Sequence, residues 1–173
     1  MQITRRSALR QLFIISAGAA ILPACVNNKK PAAQTFSHLP VTADEQAMLE
    51  DIASTIIPTT DTPGAKEAGA HLFALRMVND CYKKEDQEKF LNGLRQFGTQ
   101  VQQQYSKGFG ACSAQEKEAA ISKAAEDKGG DAGYFCNTFK RLTVQAYTSS
   151  EYYLTKVDAY KLVPGKFKAS VKI

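Results

Sequence analysis

The side chains that could carry covalent or acid–base chemistry are few in this chain, and they are scattered. There are two histidines, His38 and His71, and four cysteines, Cys25, Cys81, Cys112 and Cys136. A nucleophilic site needs a thiol or hydroxyl beside a base, and a zinc site needs closely spaced thiolates and imidazoles. No C-x-x-C, H-E-x-x-H or G-x-S-x-G motif occurs, and no G-x-G-x-x-G follows a strand pattern. Zinc, hydrolase and dinucleotide chemistry therefore have no signature here, and without C-x-x-C-H there is no covalent haem. His38 reads as a solvated side chain, and His71 as a surface or partly buried structural one. Asp61 sits among threonines and prolines, where bonding to its own turn explains it. Glu151 lies among Tyr147, Tyr152 and Tyr153. A glutamate without a partnered base is a poor catalyst, whereas tyrosines are favoured anchors at protein interfaces. No catalytic, cofactor-binding or metal-binding residue is expected in this chain.

The amino terminus addresses the chain rather than folding it. Arg5-Arg6 precede LFIISAGAAILPA, residues 12–24, an apolar run shorter than the about 20 residues that span a bilayer. A basic start, a short apolar run and then small residues make a secretory signal. The arginine pair before a weakly apolar stretch resembles a twin-arginine export signal, which belongs to a route for folded proteins. Leu22-Pro23-Ala24-Cys25 resembles a bacterial lipobox, making Cys25 the lipidated first residue of a mature, membrane-anchored periplasmic lipoprotein of a Gram-negative bacterium.

The full chain of 173 residues carries 22 Lys+Arg and 17 Asp+Glu. Removing residues 1–24 takes away Arg5, Arg6 and Arg10 and no acid, leaving 19 against 17, a net charge of +2. No basic patch is interleaved with aromatics, so nucleic acid is not an expected partner. In an oxidising compartment, one disulfide among Cys81, Cys112 and Cys136 would leave an odd thiol. The pairing stays open.

The elements around these residues read as helices. Residues 25–41, broken by Pro31 and Pro40, form the lipidated cysteine and a flexible tether. Residues 42–173 form one domain. Thr42 and Glu45 make a capping box, and Met48, Leu49, Ile52, Ala53, Ile56 and Ile57 follow on one face. Pro58 stops that helix. A second helix starts near Lys66 or Glu67 and carries Leu72, Leu75, Val78 and Tyr82. A third follows the charged KKEDQEK stretch, with Phe90, Leu94, Phe97, Val101 and Tyr105 in register. Ser113 and Glu116 form a second capping box, opening a weaker helix that Gly129-Gly130 end. A fifth carries Phe135, Phe139, Leu142 and Ala146 and finishes near Tyr147. The tail adds a short helix over TSSEYYLTKVDAY, a Pro164-Gly165 turn and an alternating strand pattern over residues 167–173. The fold class is all-α, a single small bundle of about five helices with an irregular C-terminal tail.

The loop IIPTTDTPGAKEAG, residues 56–69, crowds two prolines, two glycines and three threonines into one connection. That loop after a capped helix, together with the arginine-pair signal and Ala146-Tyr147-Thr148-Ser149-Ser150-Glu151 followed by Tyr160 and Pro164-Gly165, resembles the gluconate 2-dehydrogenase subunit 3 family. This chain has one residue more between Ser149 and Glu151 than the family form, and the Tyr152-Tyr153 region replaces a glycine. The resemblance implies a non-catalytic small subunit of an FAD-dependent sugar or sugar-acid dehydrogenase. Its partner would be a glucose–methanol–choline-type flavoprotein that holds the FAD, with a cytochrome c subunit often completing the complex. The small subunit would supply the export signal and support folding and stability of the large one. Partner contacts would come from Pro58, Thr59, Thr60, Asp61, Thr62, Pro63 and Gly64, with Tyr147, Thr148, Ser149, Glu151 and Tyr152. Competing readings are a free-standing periplasmic lipoprotein that binds a ligand or envelope partner, and an enzyme using Asp61, His71 and Glu151.

Overall fold

The computed structural model describes residues 35–158 and Gly165. The signal, the lipobox and the strand pattern over residues 167–173 lie outside the described residues. Within them the chain is all-helical, with five α-helices and no strand. They are α1 (Ala43–Ile56), α2 (Ala70–Cys81), α3 (Lys84–Tyr105), α4 (Ala114–Glu126) and α5 (Asp131–Thr148). A 3-10 turn spans Phe109–Ala111, and a π-helical turn spans Tyr153–Val157. No described helix is long and apolar enough to cross a membrane.

Both predicted capping boxes form. The Glu45 N–H donates to Thr42 Oγ1 at 3.2 Å, and the Thr42 N–H donates to Glu45 Oε2 at 2.7 Å. The same exchange joins Ser113 and Glu116 at 3.4 and 2.7 Å. Two N–H groups without helical partners are satisfied at each start.

The core is aromatic and centres on α3 against α5. Phe90 meets Phe135 edge-on at 5.1 Å, Phe135 stacks on Phe139 at 5.8 Å, and Phe97 lies 5.5 Å from Phe109. Edge-on and offset ring pairs of this kind add about 0.5–1.5 kcal/mol each beyond their burial. Gly93 makes the close approach possible. A Cβ there would lie 2.1 Å from the Asp131 carbonyl oxygen and 2.6 Å from Phe135 Cβ.

Three boundaries differ from the sequence expectation. The second helix begins at Ala70, not at Lys66 or Glu67, because Glu67 is engaged in holding the preceding loop. The third begins at Lys84, so the charged stretch is its first turn rather than a linker. Gln87 in that stretch is buried, and its amide donates to the Val78, Asn79 and Tyr82 carbonyls at 3.0, 2.9 and 3.2 Å. It thereby satisfies the carbonyl end of α2. Finally, packing starts before Thr42. Leu39, in the segment read as tether, is only 1 % exposed, and Phe36 and Val41 lie against the core.

Candidate functional site

The loop after α1 is closed by backbone and by one carboxylate. The Ala65 N–H donates to the Ile57 carbonyl at 2.9 Å, drawing the two ends of the turn together. Glu67 Oε2 accepts from Thr59 Oγ1 at 2.7 Å and from the Gly64 N–H at 2.9 Å. The Thr59 hydroxyl, then the backbone N–H groups of Glu67 and Gly64, hold the Glu67 carboxyl below its usual range. Inside this turn, the Thr60 N–H donates to the Thr62 carbonyl at 3.1 Å. Gly64 is fixed by space. A Cβ would sit 2.7 Å from the Ile57 oxygen and the Thr59 nitrogen, both backbone atoms that cannot move aside.

Asp61 does not hold the turn, contrary to the sequence expectation. It is exposed and has no side-chain hydrogen bond among the described residues; the bonds come from Glu67 instead. Glu67 was legible in principle. It stands three residues after Gly64 and reaches back to that N–H, as Glu45 does to Thr42 and Glu116 to Ser113.

The end of α5 forms the second wall. Thr148 Oγ1 donates back to the Val144 carbonyl at 3.0 Å, and the Ser150 N–H donates to the Tyr147 carbonyl at 3.1 Å. Ser150 Oγ accepts from the Tyr153 N–H at 3.3 Å, and Tyr153 packs edge-on to Tyr147 at 5.8 Å. The Tyr147 ring is thus braced by the turn that follows it.

Between the walls lies an open groove of about 370 Å³, lined by Pro63, Gly64, Glu67, Ala68, Tyr147, Ser150, Glu151 and Tyr152. The two nominated segments, over eighty residues apart in sequence, meet here. Pro63, Gly64, Tyr147, Glu151 and Tyr152 line it directly. Thr59 acts through Glu67, while Thr60, Asp61 and Thr62 form the exposed rim of the loop. Pro58 faces a different hollow, beside Asp51, Thr55, Cys112 and Lys117. Thr148 bonds its own helix, and Ser149 is exposed. The groove holds two carboxylates, two phenols and a hydroxyl, but no lysine, arginine or histidine. It has recognition chemistry and no assembled acid–base pair.

His71 stays apart from the groove's lining. It is half-buried, its Nδ1 has no hydrogen-bond partner, and burial lowers its pKa against the pull of Glu50. The three thiols stand free: Cys81 is exposed, while Cys112 and Cys136 are buried. Burial alone pushes the Cys136 thiol up to about 12, which keeps it protonated and unreactive. Among the described residues, no three His, Cys, Asp or Glu side chains gather as a metal site would need.

The family model for gluconate 2-dehydrogenase subunit 3 matches residues 43–165, a span that includes α1 to α5 and both walls of the groove. No curated protein and no solved structure matches the chain.

Proposed function

The chain belongs to the gluconate 2-dehydrogenase subunit 3 family, and from that premise we propose that it is the non-catalytic small subunit of an FAD-dependent sugar or sugar-acid dehydrogenase complex. It serves the export, folding and stability of a glucose–methanol–choline-type flavoprotein, which contributes the FAD and the chemistry. Arg5 and Arg6 direct export, Cys25 carries the lipid, and the complex works in the periplasm at the membrane. A cytochrome c subunit is a further candidate member.

The observation that carries this reading is the groove between the loop and the α5 end. Its walls are preorganised by Glu67 and by the Tyr147–Tyr153 contact, so docking orders few side chains. Part-buried tyrosines beside carboxylates suit a protein partner, where aromatic anchors carry most of the binding energy. The test is purification of the tagged full-length chain from its native host at native levels. A stoichiometric partner with a flavin absorption spectrum is expected. A chain that elutes alone, with no flavin protein in the membrane extract bound to it, would overturn the subunit reading.

A further inference from the structure

Negative charge is left uncompensated in the groove between the loop and the α5 end. Among the described residues, cations meet Glu45, Glu50 and Glu116: Arg95 at 2.8 Å, Lys66 at 3.3 Å and Lys107 at 2.8 Å. Glu67 and Glu151 have no such partner, and they stand on opposite walls of one groove. Lys66 is next to Glu67 in the chain, but its amine is committed to Glu50 on α1. No lysine, arginine or histidine lines the groove.

The two carboxylates are held differently. Glu67 Oε2 takes both loop bonds, from the Thr59 hydroxyl and the Gly64 N–H, and these keep the carboxyl below its usual range and charged. Glu151 is exposed, and its side chain has no hydrogen bond among the described residues. Its carbonyl alone is used, by Thr155 Oγ1 at 2.7 Å. Tyr147 and Tyr152 are part-buried in the same lining, and Tyr147 is braced edge-on by Tyr153 at 5.8 Å. A fixed negative charge and a fixed aromatic ring are thus in place before anything docks.

This set discriminates among cations. Calcium takes about six to eight oxygen ligands, and no three acidic, histidine or cysteine side chains gather among the described residues. A lysine ammonium is a compact, strongly hydrated point charge, and an open groove gives it little reason to shed its water. A guanidinium is planar and more weakly hydrated. Its forked donors can serve two carboxylates at once, and its face stacks on an aromatic ring. We propose that the groove seats an arginine side chain of the flavoprotein, held between Glu67 and Glu151 and against the tyrosine rings. This rests on the reading of the groove as the partner's seat, and it adds the chemistry that the partner brings there.

The experiment uses the tagged full-length chain and its flavoprotein from the native host. Glu151 is the residue to change, because Glu67 also closes the loop. Glu151→Lys should weaken flavoprotein capture by about tenfold or more, and Glu151→Gln by less. Rising salt should weaken capture by the parent more than by Glu151→Gln, since screening acts on the charge that the variant lacks. Glu126→Lys makes the same change of charge at the exposed end of α4 and should leave capture within about twofold. Phenylglyoxal, which modifies arginines, should spare one flavoprotein arginine in the complex that it modifies in the free flavoprotein. Replacing that arginine with glutamate should abolish capture by the parent chain, and Glu151→Lys should restore it. Full capture by Glu151→Lys overturns the arginine seat and leaves the subunit reading standing. No protected arginine, or a charge swap that restores nothing, overturns it equally. A parent chain that holds no flavoprotein overturns the subunit reading, and the arginine seat with it.

Discussion

At the scale of single residues, the loop depends on one missing side chain and one carboxylate. At Gly64 a Cβ would meet the Ile57 oxygen and the Pro58–Thr59 peptide bond, the nearest atoms at 2.7 Å. Gly64→Ala must therefore open the closure between Ile57 and Ala65. Overpacking of this kind costs about 1–3 kcal/mol, or roughly 5–15 °C in the thermal midpoint of a domain this size. Calorimetry of the isolated chain would show it, and an unchanged midpoint would mean that the loop is looser than drawn. Asp61 is the opposite case. It is exposed without a side-chain partner, so Asp61→Asn should leave folding, partner capture and turnover of the assembled complex nearly unchanged. Unchanged assembly with a collapse in turnover would mean that the loop reaches the partner's active site. The sequence singled out Asp61 because its type is common in turns. The signal for Glu67 was its three-residue spacing after Gly64, the same reach-back that Glu45 and Glu116 make.

At the scale of elements, the starts of α1 and α4 are held by capping-box carboxylates, and that gives stability a pH signature. Hydrogen bonds from Lys107 and from Ser113 lower Glu116 to about 2, against a reference of 4.5. Glu45 is lowered too: burial works against its charge, but bonds from Thr42 and Arg95 outweigh it. A depressed carboxyl contributes stability that is fully present above the unfolded value and lost as pH falls through the folded one. The midpoint should accordingly fall between pH about 4.5 and about 2. Glu116→Gln should be less stable than the parent near pH 6, with the gap closing toward pH 2. A gap that persists there would place the effect outside the charge. In the proposed docking, Pro58 and Pro63 restrict the conformations that the loop would surrender. Replacing both with alanine should weaken flavoprotein capture several-fold while far-ultraviolet dichroism stays helical. Full capture by that double variant would show that loop rigidity does not matter.

At the scale of the whole molecule, the expected roles are export, anchoring and docking. On the proposed co-export, Arg5→Lys with Arg6→Lys should strand both this chain and its flavoprotein in the cytoplasm. Cys25→Ser should release the mature protein into the soluble periplasm, since two or more acyl chains are what make anchoring stable. Fractionation with flavin fluorescence checks both; normal export of the arginine variant would point to the general secretory route. The helices themselves were legible in the chain. Capping boxes at Thr42 and Ser113, the stop at Pro58 and the three-and-four spacing of Phe90, Leu94 and Phe97 are local signals, decided within one or two turns of backbone. Family membership was legible for the same reason, as it rested on contiguous stretches. What only the tertiary structure decided was every relation between distant segments. Leu39 is core rather than tether, and its neighbours are held by partners far along the chain, Asn79 of α2 for His38 and Arg95 of α3 for Pro40. Gln87 stands in the charged stretch ahead of the third helix's apolar face, yet it is buried, with its amide on the α2 carbonyls. The groove exists because the end of α5 and the turn after it lie beside the loop before α2, with Tyr147 and Glu151 across from Gly64 and Glu67. Packing of that kind depends on shape and on unpaired polar groups in three dimensions, and no pattern of residue types along the chain contains it.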